Sequence, residues 1–177
     1  KMVHYLRANG PWSQLHELRN IRLRSISDAA LTSLTADITV RPILVPHRDE
    51  YSETVGYVIV GPTTTALFLP DIDTWGNDHV RTHILEESVV DWFDYMFIDA
   101  TFFDDNELPG RDMSKIPHPR VVQTMTMFQD APESIRNKIH FIHINHTNPI
   151  RYVDSEESKT VAERGYNIAR RGDRVCL

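Results

Sequence analysis

Three segments of the chain, at 57–60, 66–69 and 139–144, read as strands with apolar residues on both faces. Strands of this kind are usually covered on both sides in a folded protein. The helical patterns in the chain suffice to cover one face of such a sheet. An uncovered apolar face is unfavourable by roughly 25 cal/mol per Å². We therefore expect something outside this chain to cover the second face.

The order of the predicted elements is that of an α/β protein with a mixed sheet. The segments 55–60 and 66–69, joined by Gly61-Pro62, predict a hairpin. Pro119 is expected at the first position of its helix, and 28–34 is expected to form a helical turn. Helices are predicted over 2–8, 14–19, 79–93, 119–128 and 156–164, and further strands over 38–45, 95–100, 139–144, 166–168 and 174–177.

Composition narrows the classes of partner. The chain has 177 residues and a net charge of −6, with no basic stripe, so a nucleic-acid partner is not expected. The single cysteine, Cys176, excludes an internal disulfide and favours the cytoplasm. No apolar run is long enough for a membrane span. Because the chain opens at Lys1 directly into an amphipathic pattern, we expect it to be part of a longer protein.

Residues that bear chemistry follow the predicted strands. The string FIHINHTNP, from Phe141 to Pro149, delivers His143 and His146 at a strand end and stops at Asn-Pro. His47 follows another strand, and Asp71 with Asp73 follows a third. Ligands in α/β proteins bind outside the carboxyl ends of strands. The shared position therefore predicts a metal site there.

Each candidate also has a plain structural reading. His47 alone could be a surface-loop residue, and the Asp71–Asp73 pair could cap the following helix. Asp99 lies inside an apolar strand, where an acid is unfavourable without a partner. His118, between two prolines, lies either at a helix start or in a surface turn. Successive strand residues point to opposite faces, so His143 and His146 cannot both face the site.

Taken together, five strings resemble the second half of the metallo-β-lactamase fold: VPHRDEYSETVGYVIVG, LFLPDID, FIDATFF, PHPRVVQTM and FIHINHTNP. The likeness runs from Asn9 onward. Within that superfamily it points to the coenzyme PQQ synthesis protein B group, and it extends to the tRNA 3′-processing nucleases. It implies half of an αββα sandwich: a mixed sheet with helices on one face, each half of the fold supplying one sheet.

The resemblance also implies a ligand set. His47, Asp71 and His143 match metal ligands, with Asp73 and His146 as alternatives to them. The implied cofactor is a divalent metal, zinc first, with manganese or iron as alternatives.

A second pair matches the proton-transfer machinery of the nuclease relatives. His118 stands where they have a proton-transferring histidine, and Asp99 where they have the acid that partners it. These two residues are therefore the predicted catalytic pair.

The chain departs from the family at the main ligand motif, His-x-His-x-Asp-His, which it does not contain. We expect 1–177 to be a single domain or half-domain whose N-terminal half, with that motif, is missing or is supplied by a partner chain; a homo-oligomer is a further possibility. The predicted function is a metal-dependent hydrolase of a small substrate. The alternatives are an iron-dependent oxidoreductase of the PQQ-biosynthesis type and a non-catalytic half-domain.

Overall fold

The computed structural model describes residues 2–28 and 30–177. Within these ranges, the strands form one seven-stranded sheet whose spatial order equals the chain order. The first four strands pair antiparallel and the later pairs are parallel, which confirms the mixed α/β fold class. The strands are β1 Thr32–Ser33, β2 Thr39–Leu44, β3 Val55–Val60, β4 Thr65–Leu69, β5 Tyr95–Asp99, β6 Ile139–Ile142 and β7 Asn167–Ile168.

The helices follow the predicted order with some corrected boundaries. They are α1 Met2–Ala8, α2 Trp12–Glu17, α3 Asp78–Val80, α4 Glu87–Trp92, α5 Val121–Met127, α6 Glu133–Arg136 and α7 Glu156–Glu163. The helix predicted over 79–93 is divided by a π-helical segment, Arg81–Leu85. Short 3₁₀ turns occur at Met113–Lys115 and Pro149–Arg151. Within the described residues, no helix has the length and apolar character needed to cross a membrane.

Two further boundaries differ from the prediction. Helix α5 begins at Val121 with Arg120 as its N-cap, so Pro119 lies before the helix rather than in its first turn. The segment 28–34 contains strand β1, paired with β2, where a helical turn was expected.

The core lies between one face of the sheet and the helices. A row of side chains in register across four strands, Val58, Leu67, Met96 and Ile139, is fully buried. Buried residues of the helical layer, among them Val90, Met125 and Val161, belong to the same cluster. This arrangement confirms helices on one face and explains why those strand positions are apolar.

The opposite face is apolar but only partly covered. Its central row in register is Tyr57, Phe68, Phe97 and His140. Phe68 is 38% exposed and the other three are half-buried. The Phe97 and His140 rings pack together with centroids 5.3 Å apart. Apolar residues therefore do line both faces of these strands, and the face away from the helices retains exposed aromatic surface.

The C-terminal segment reaches the turn between β3 and β4. The Thr64 hydroxyl donates to the Cys176 carbonyl over 2.6 Å. A side chain at Gly61 would come within 2.5 Å of Leu177, so this close approach requires glycine. The segment 174–177 does not form the strand that was predicted.

Candidate metal centre

The candidate residues meet at one edge of the sheet because of its topology. Strands β4, β5 and β6 are parallel, so their carboxyl ends lie at the same edge. Asp71 follows β4, Asp99 is the last residue of β5, and His143 follows β6 directly. Strand β2 runs antiparallel to β3, which runs antiparallel to β4, so β2 also ends at this edge and brings His47 there.

Asp99 is the buried centre of the site. Its side chain is completely inaccessible and accepts hydrogen bonds from the backbone N–H of Ile72 (3.1 Å) and of Thr101 (2.8 Å). It also accepts one from the Thr101 hydroxyl (2.6 Å), and His118 Nδ1 lies 2.8 Å away. Burial by itself raises the pKa of Asp99, but the hydrogen bonds with His118 and Thr101 and the nearby His143 imidazole outweigh it and lower the pKa to about 2. Asp99 is therefore a carboxylate at neutral pH.

His118 is held by a buried arginine. The Arg120 guanidinium donates to the carbonyl oxygens of His118 (2.7 Å) and Ile116 (3.3 Å) and pairs with Asp105 at 2.8 Å. The backbone N–H of Arg120 donates to Gln123 Oε1, which fixes the start of α5. The Arg120 guanidinium thus holds the polar loop after β5 in place, and the end of this loop places the His118 imidazole beside Asp99.

His143 is placed by an unusual backbone conformation and by the Asn-Pro stop. Its φ is +58°, in the left-handed region, so β6 ends at Ile142 and the strand predicted over 139–144 is shorter than expected. Asn148 is fully buried; its amide donates to the Ala100 carbonyl over 2.8 Å, and its oxygen accepts from the N–H of Ile150. The loop after β6 is therefore fastened to the end of β5. The nearby Asp99 carboxylate raises the pKa of His143.

His47 and the two aspartates form the outer part of the site. His47 Nδ1 lies 2.7 Å from Asp73 Oδ1, and His47 Nε2 lies 3.3 Å from Asp71 Oδ2. The backbone N–H of Asp73 donates to the Pro46 carbonyl, which joins the two loops. Asp73 therefore orients His47, while Asp71 lies between His47 and His118, with its Oδ1 3.7 Å from His118 Nδ1.

These residues fit a divalent cation. Asp71, Asp99, His118 and His143 each offer a ligating atom, and those atoms lie within 4.8 Å of one another. Among the described residues, Asp71 Oδ1 is buried without a hydrogen-bond partner. A buried acceptor left unpaired is unfavourable by about 1–3 kcal/mol, more when it is charged, and a cation would satisfy it. Mixed imidazole and carboxylate donors suit zinc, manganese or iron.

Comparison with known proteins identifies the family. The model of the β-lactamase superfamily domain matches residues 1–144. This chain belongs to that superfamily. No curated protein matches its sequence.

Two solved structures show the same fold. Zn²⁺-bound PqqB from Methylobacterium extorquens superposes with a TM-score of 0.74 at 18% identity, over 99% of this chain and 59% of that one. YhfI from Bacillus subtilis, a metallo-β-lactamase fold protein, gives 0.50 at 10% identity, over 89% and 59%. The chain thus spans 59% of the length of each, and the expected likeness in fold to the metallo-β-lactamase and PQQ synthesis protein B groups is confirmed.

The cluster at the sheet edge contains six of the predicted residues and leaves one outside. His47, Asp71, Asp73, Asp99, His118 and His143 converge at the sheet edge, as the preceding distances show. His146 is exposed, and its ring contacts Asn145 Oδ1 at 3.1 Å. Of the two histidines after β6, the first therefore lies in the cluster.

Three residues that organise the site were missed in the sequence. They are Thr101, Arg120 and Asn148, each at most 8% exposed. The signal for Thr101 was its position two residues after Asp99, where a side chain can reach back to that carboxylate. The signal for Asn148 was the Asn-Pro pair, which was interpreted as a strand terminator and as part of a family string, with no role assigned to the asparagine side chain. Arg120 carried no signal that separates it from a surface arginine.

Proposed function

We propose that this chain carries the proton-transfer part of a metal-dependent hydrolase site of the metallo-β-lactamase type. The observation that carries the proposal is the buried Asp71 oxygen without a hydrogen-bond partner, within a four-residue cluster of ligating groups. The Zn²⁺ in the solved PqqB supports a divalent metal at such a site. Zinc is the first choice, with manganese or iron as alternatives.

Asp71 and His143 would hold the metal, with His47 beside Asp71 as a further ligand. A divalent metal bound there would polarise the scissile bond as a Lewis acid and make water more acidic. Asp73 would keep the His47 ring oriented through the 2.7 Å contact with its Nδ1.

His118 would move the proton. Its Nδ1 lies against the Asp99 carboxylate at 2.8 Å, so Nε2 is the atom left to exchange a proton with the leaving group. The buried negative charge of Asp99 stabilises the imidazolium that gives up that proton. The Asp99 carboxylate thus orients His118. The two residues correspond to the carboxylate and the histidine of a catalytic triad, in which the carboxylate orients the ring and the histidine transfers the proton.

A cavity beside His118 would take a small substrate. Its volume is about 520 Å³, within the range of small-molecule pockets. Three carboxylates line it and each is already paired: Asp73 with His47, Asp105 with Arg120, and Asp112 with Lys115. In the described part of the chain, the guanidinium of Arg111, which also lines the cavity, has no carboxylate partner. We propose that the substrate is a small molecule with an anionic group that Arg111 binds.

The remainder of the sandwich would cover the open sheet face. The chain spans 59% of each solved relative, and the row through Phe68 and Phe97 is apolar and partly exposed. We propose that a second sheet, from the same protein or a partner chain, packs on this row and supplies the His-x-His-x-Asp-His ligands. We also propose a cytoplasmic location, because the lone Cys176 is exposed and unpaired by any disulfide.

Hydrolysis assays with a matched variant test the function. The intact protein is loaded with Zn²⁺ or Mn²⁺ and given aryl phosphodiester and aryl ester probes. We expect His118→Ala to lower kcat by about 10²–10⁴-fold, the usual contribution of a general acid. His146→Ala, which removes a histidine outside the cluster, is the control and should retain wild-type activity.

Other outcomes would contradict the proposal. Equal rates for wild type and His118→Ala would remove His118 from the mechanism. Iron-dependent oxygen consumption without hydrolysis would favour the oxidoreductase alternative. Absence of metal binding and of turnover, with the rest of the fold present, would favour a non-catalytic half-domain.

A further inference from the structure

We infer that Thr101 is a positioning residue that fixes the tautomer of His143 and thereby presents His143 Nε2 to the metal. This inference rests on the metal site of the proposed function. It assigns a role to a side chain that neither resembles a ligand nor touches the substrate cavity.

The geometry places the Thr101 hydroxyl between three groups. It lies 2.6 Å from Asp99 Oδ1, 3.0 Å from His143 Nδ1 and 3.2 Å from His118 Nδ1, and Thr101 is 8% exposed. His143 Nδ1 is 3.7 Å from the nearest Asp99 oxygen, beyond hydrogen-bonding distance. The Thr101 hydroxyl therefore connects His143 to the Asp99 carboxylate, which His143 does not reach directly.

Counting protons decides the direction of each bond. The hydroxyl has one hydrogen, and the ionised Asp99 can only accept, so that hydrogen points to Asp99 Oδ1. Toward His143 the Thr101 oxygen can then only accept, and His143 Nδ1 must carry the hydrogen. In neutral His143 the lone pair consequently lies on Nε2, the atom free to bind a metal.

Asp99 thus sets the orientation of two histidines through its two oxygens. Its Oδ2 contacts His118 directly at 2.8 Å, and its Oδ1 acts on His143 through Thr101. Hydrogen bonds to the far nitrogen of a ligand histidine typically change metal affinity by about 10–100-fold. Threonine also has the shape of valine, so the hydroxyl can be removed with little change in packing.

The test compares Thr101→Val with Thr101→Ser in the intact protein. Ring ¹⁵N chemical shifts of the metal-free protein report which nitrogen of each histidine is protonated. Competition with a chromophoric chelator gives the Zn²⁺ affinity. We expect wild type and Thr101→Ser to show His143 protonated at Nδ1. We expect Thr101→Val to show a mixture of His143 tautomers and about 10–100-fold weaker Zn²⁺ binding. His118 should keep its tautomer in both variants because its bond to Asp99 is direct, and this signal verifies that the site is folded.

Two results would overturn the inference. The first is a wild-type His143 protonated at Nε2, a measurement that needs no variant to fold. The second is a Thr101→Val protein whose His143 tautomer and Zn²⁺ affinity equal those of wild type, which would leave Thr101 a packing residue. Neither readout depends on turnover, so loss of the hydrolase proposal in the His118→Ala assay and loss of this inference are separate outcomes.

Discussion

Replacing Asp99 by asparagine should destabilise the protein in a pH-dependent manner. Each carboxylate oxygen accepts one backbone N–H, from Thr101 on one side and from Ile72 on the other. An asparagine must turn its NH₂ toward one of them, which leaves a buried backbone donor unpaired at a cost of about 1–3 kcal/mol. The hydrogen bond with His118 adds to the loss, because that imidazole must change its tautomer or its position. We expect a decrease of about 3 kcal/mol in unfolding free energy at pH 7.

The pH dependence follows from the lowered pKa. The pKa of Asp99 falls from 3.8 to about 2 on folding, and a shift of about two units is worth about 2–3 kcal/mol. This stabilisation is fully present above pH 4, the unfolded value, and is lost as the pH falls through the folded value near 2. The difference between wild type and Asp99→Asn should therefore narrow by about 2 kcal/mol between pH 7 and pH 2, and by about 1.5 kcal/mol when the pH has fallen to 2.5.

Urea unfolding followed by far-UV circular dichroism at pH 7, 4 and 2.5 measures this difference. Asp130→Asn, at an exposed aspartate, is the control and should match wild type at each pH. An Asp99→Asn protein as stable as wild type at pH 7 would refute the reasoning. So would a difference that stays constant down to pH 2.5.

Three further perturbations test other parts of the structure. Asn148→Ala removes the buried amide that donates to Ala100, so the unfolding free energy should fall by about 1–3 kcal/mol in urea titrations; no change would show that the loop after β6 is held by other contacts. Burial lowers the pKa of His140, so the melting temperature should fall as the pH falls below 6.5. His140→Phe should remove this dependence of the melting temperature on pH, and an unchanged dependence would assign it to other groups. Arg111→Ala should raise KM for anionic probes and leave neutral ones unaffected; an equal effect on both would contradict the anion proposal.

The convergence of the site could be predicted because it depends on strand direction. A residue that follows a parallel strand lies at the carboxyl edge of the sheet whatever the details of the loop. Sequence position alone therefore predicted that three residues lie close together: Asp71, Asp99 and His143. The partly open face was predictable for a similar reason, since segments with apolar residues on both sides must meet two layers.

The local geometry could not be predicted in the same way. The positive φ of His143 has no sequence signal at a histidine, and it shortened the predicted strand by two residues, to Ile142. Arg120 resembles a surface residue until the carbonyls of its loop are seen to converge on it. Pro119 satisfied the general preference for a first helical position, but the Gln123 side chain accepts from the backbone N–H of Arg120, so that α5 begins after Arg120, at Val121.

Thr101 shows why a sequence pattern does not reveal a residue that acts on a metal ligand through a hydrogen bond. A threonine after an apolar strand is common. The role of its hydroxyl becomes visible only from the distances to Asp99, His118 and His143, which lie on different segments. The sequence placed Asp99 beside His118 through a family resemblance. It contained no indication that the same carboxylate also acts on His143 through a hydroxyl.

Anomalous scattering at the zinc edge from crystals of the intact, Zn²⁺-loaded protein would locate the bound metal. We expect a peak within coordination distance of an Asp71 carboxylate oxygen and of His143 Nε2, and its loss in Asp71→Ala crystals grown under the same conditions. A loaded crystal with no peak at this sheet edge, or a peak that persists unchanged without the Asp71 carboxylate, would contradict the account.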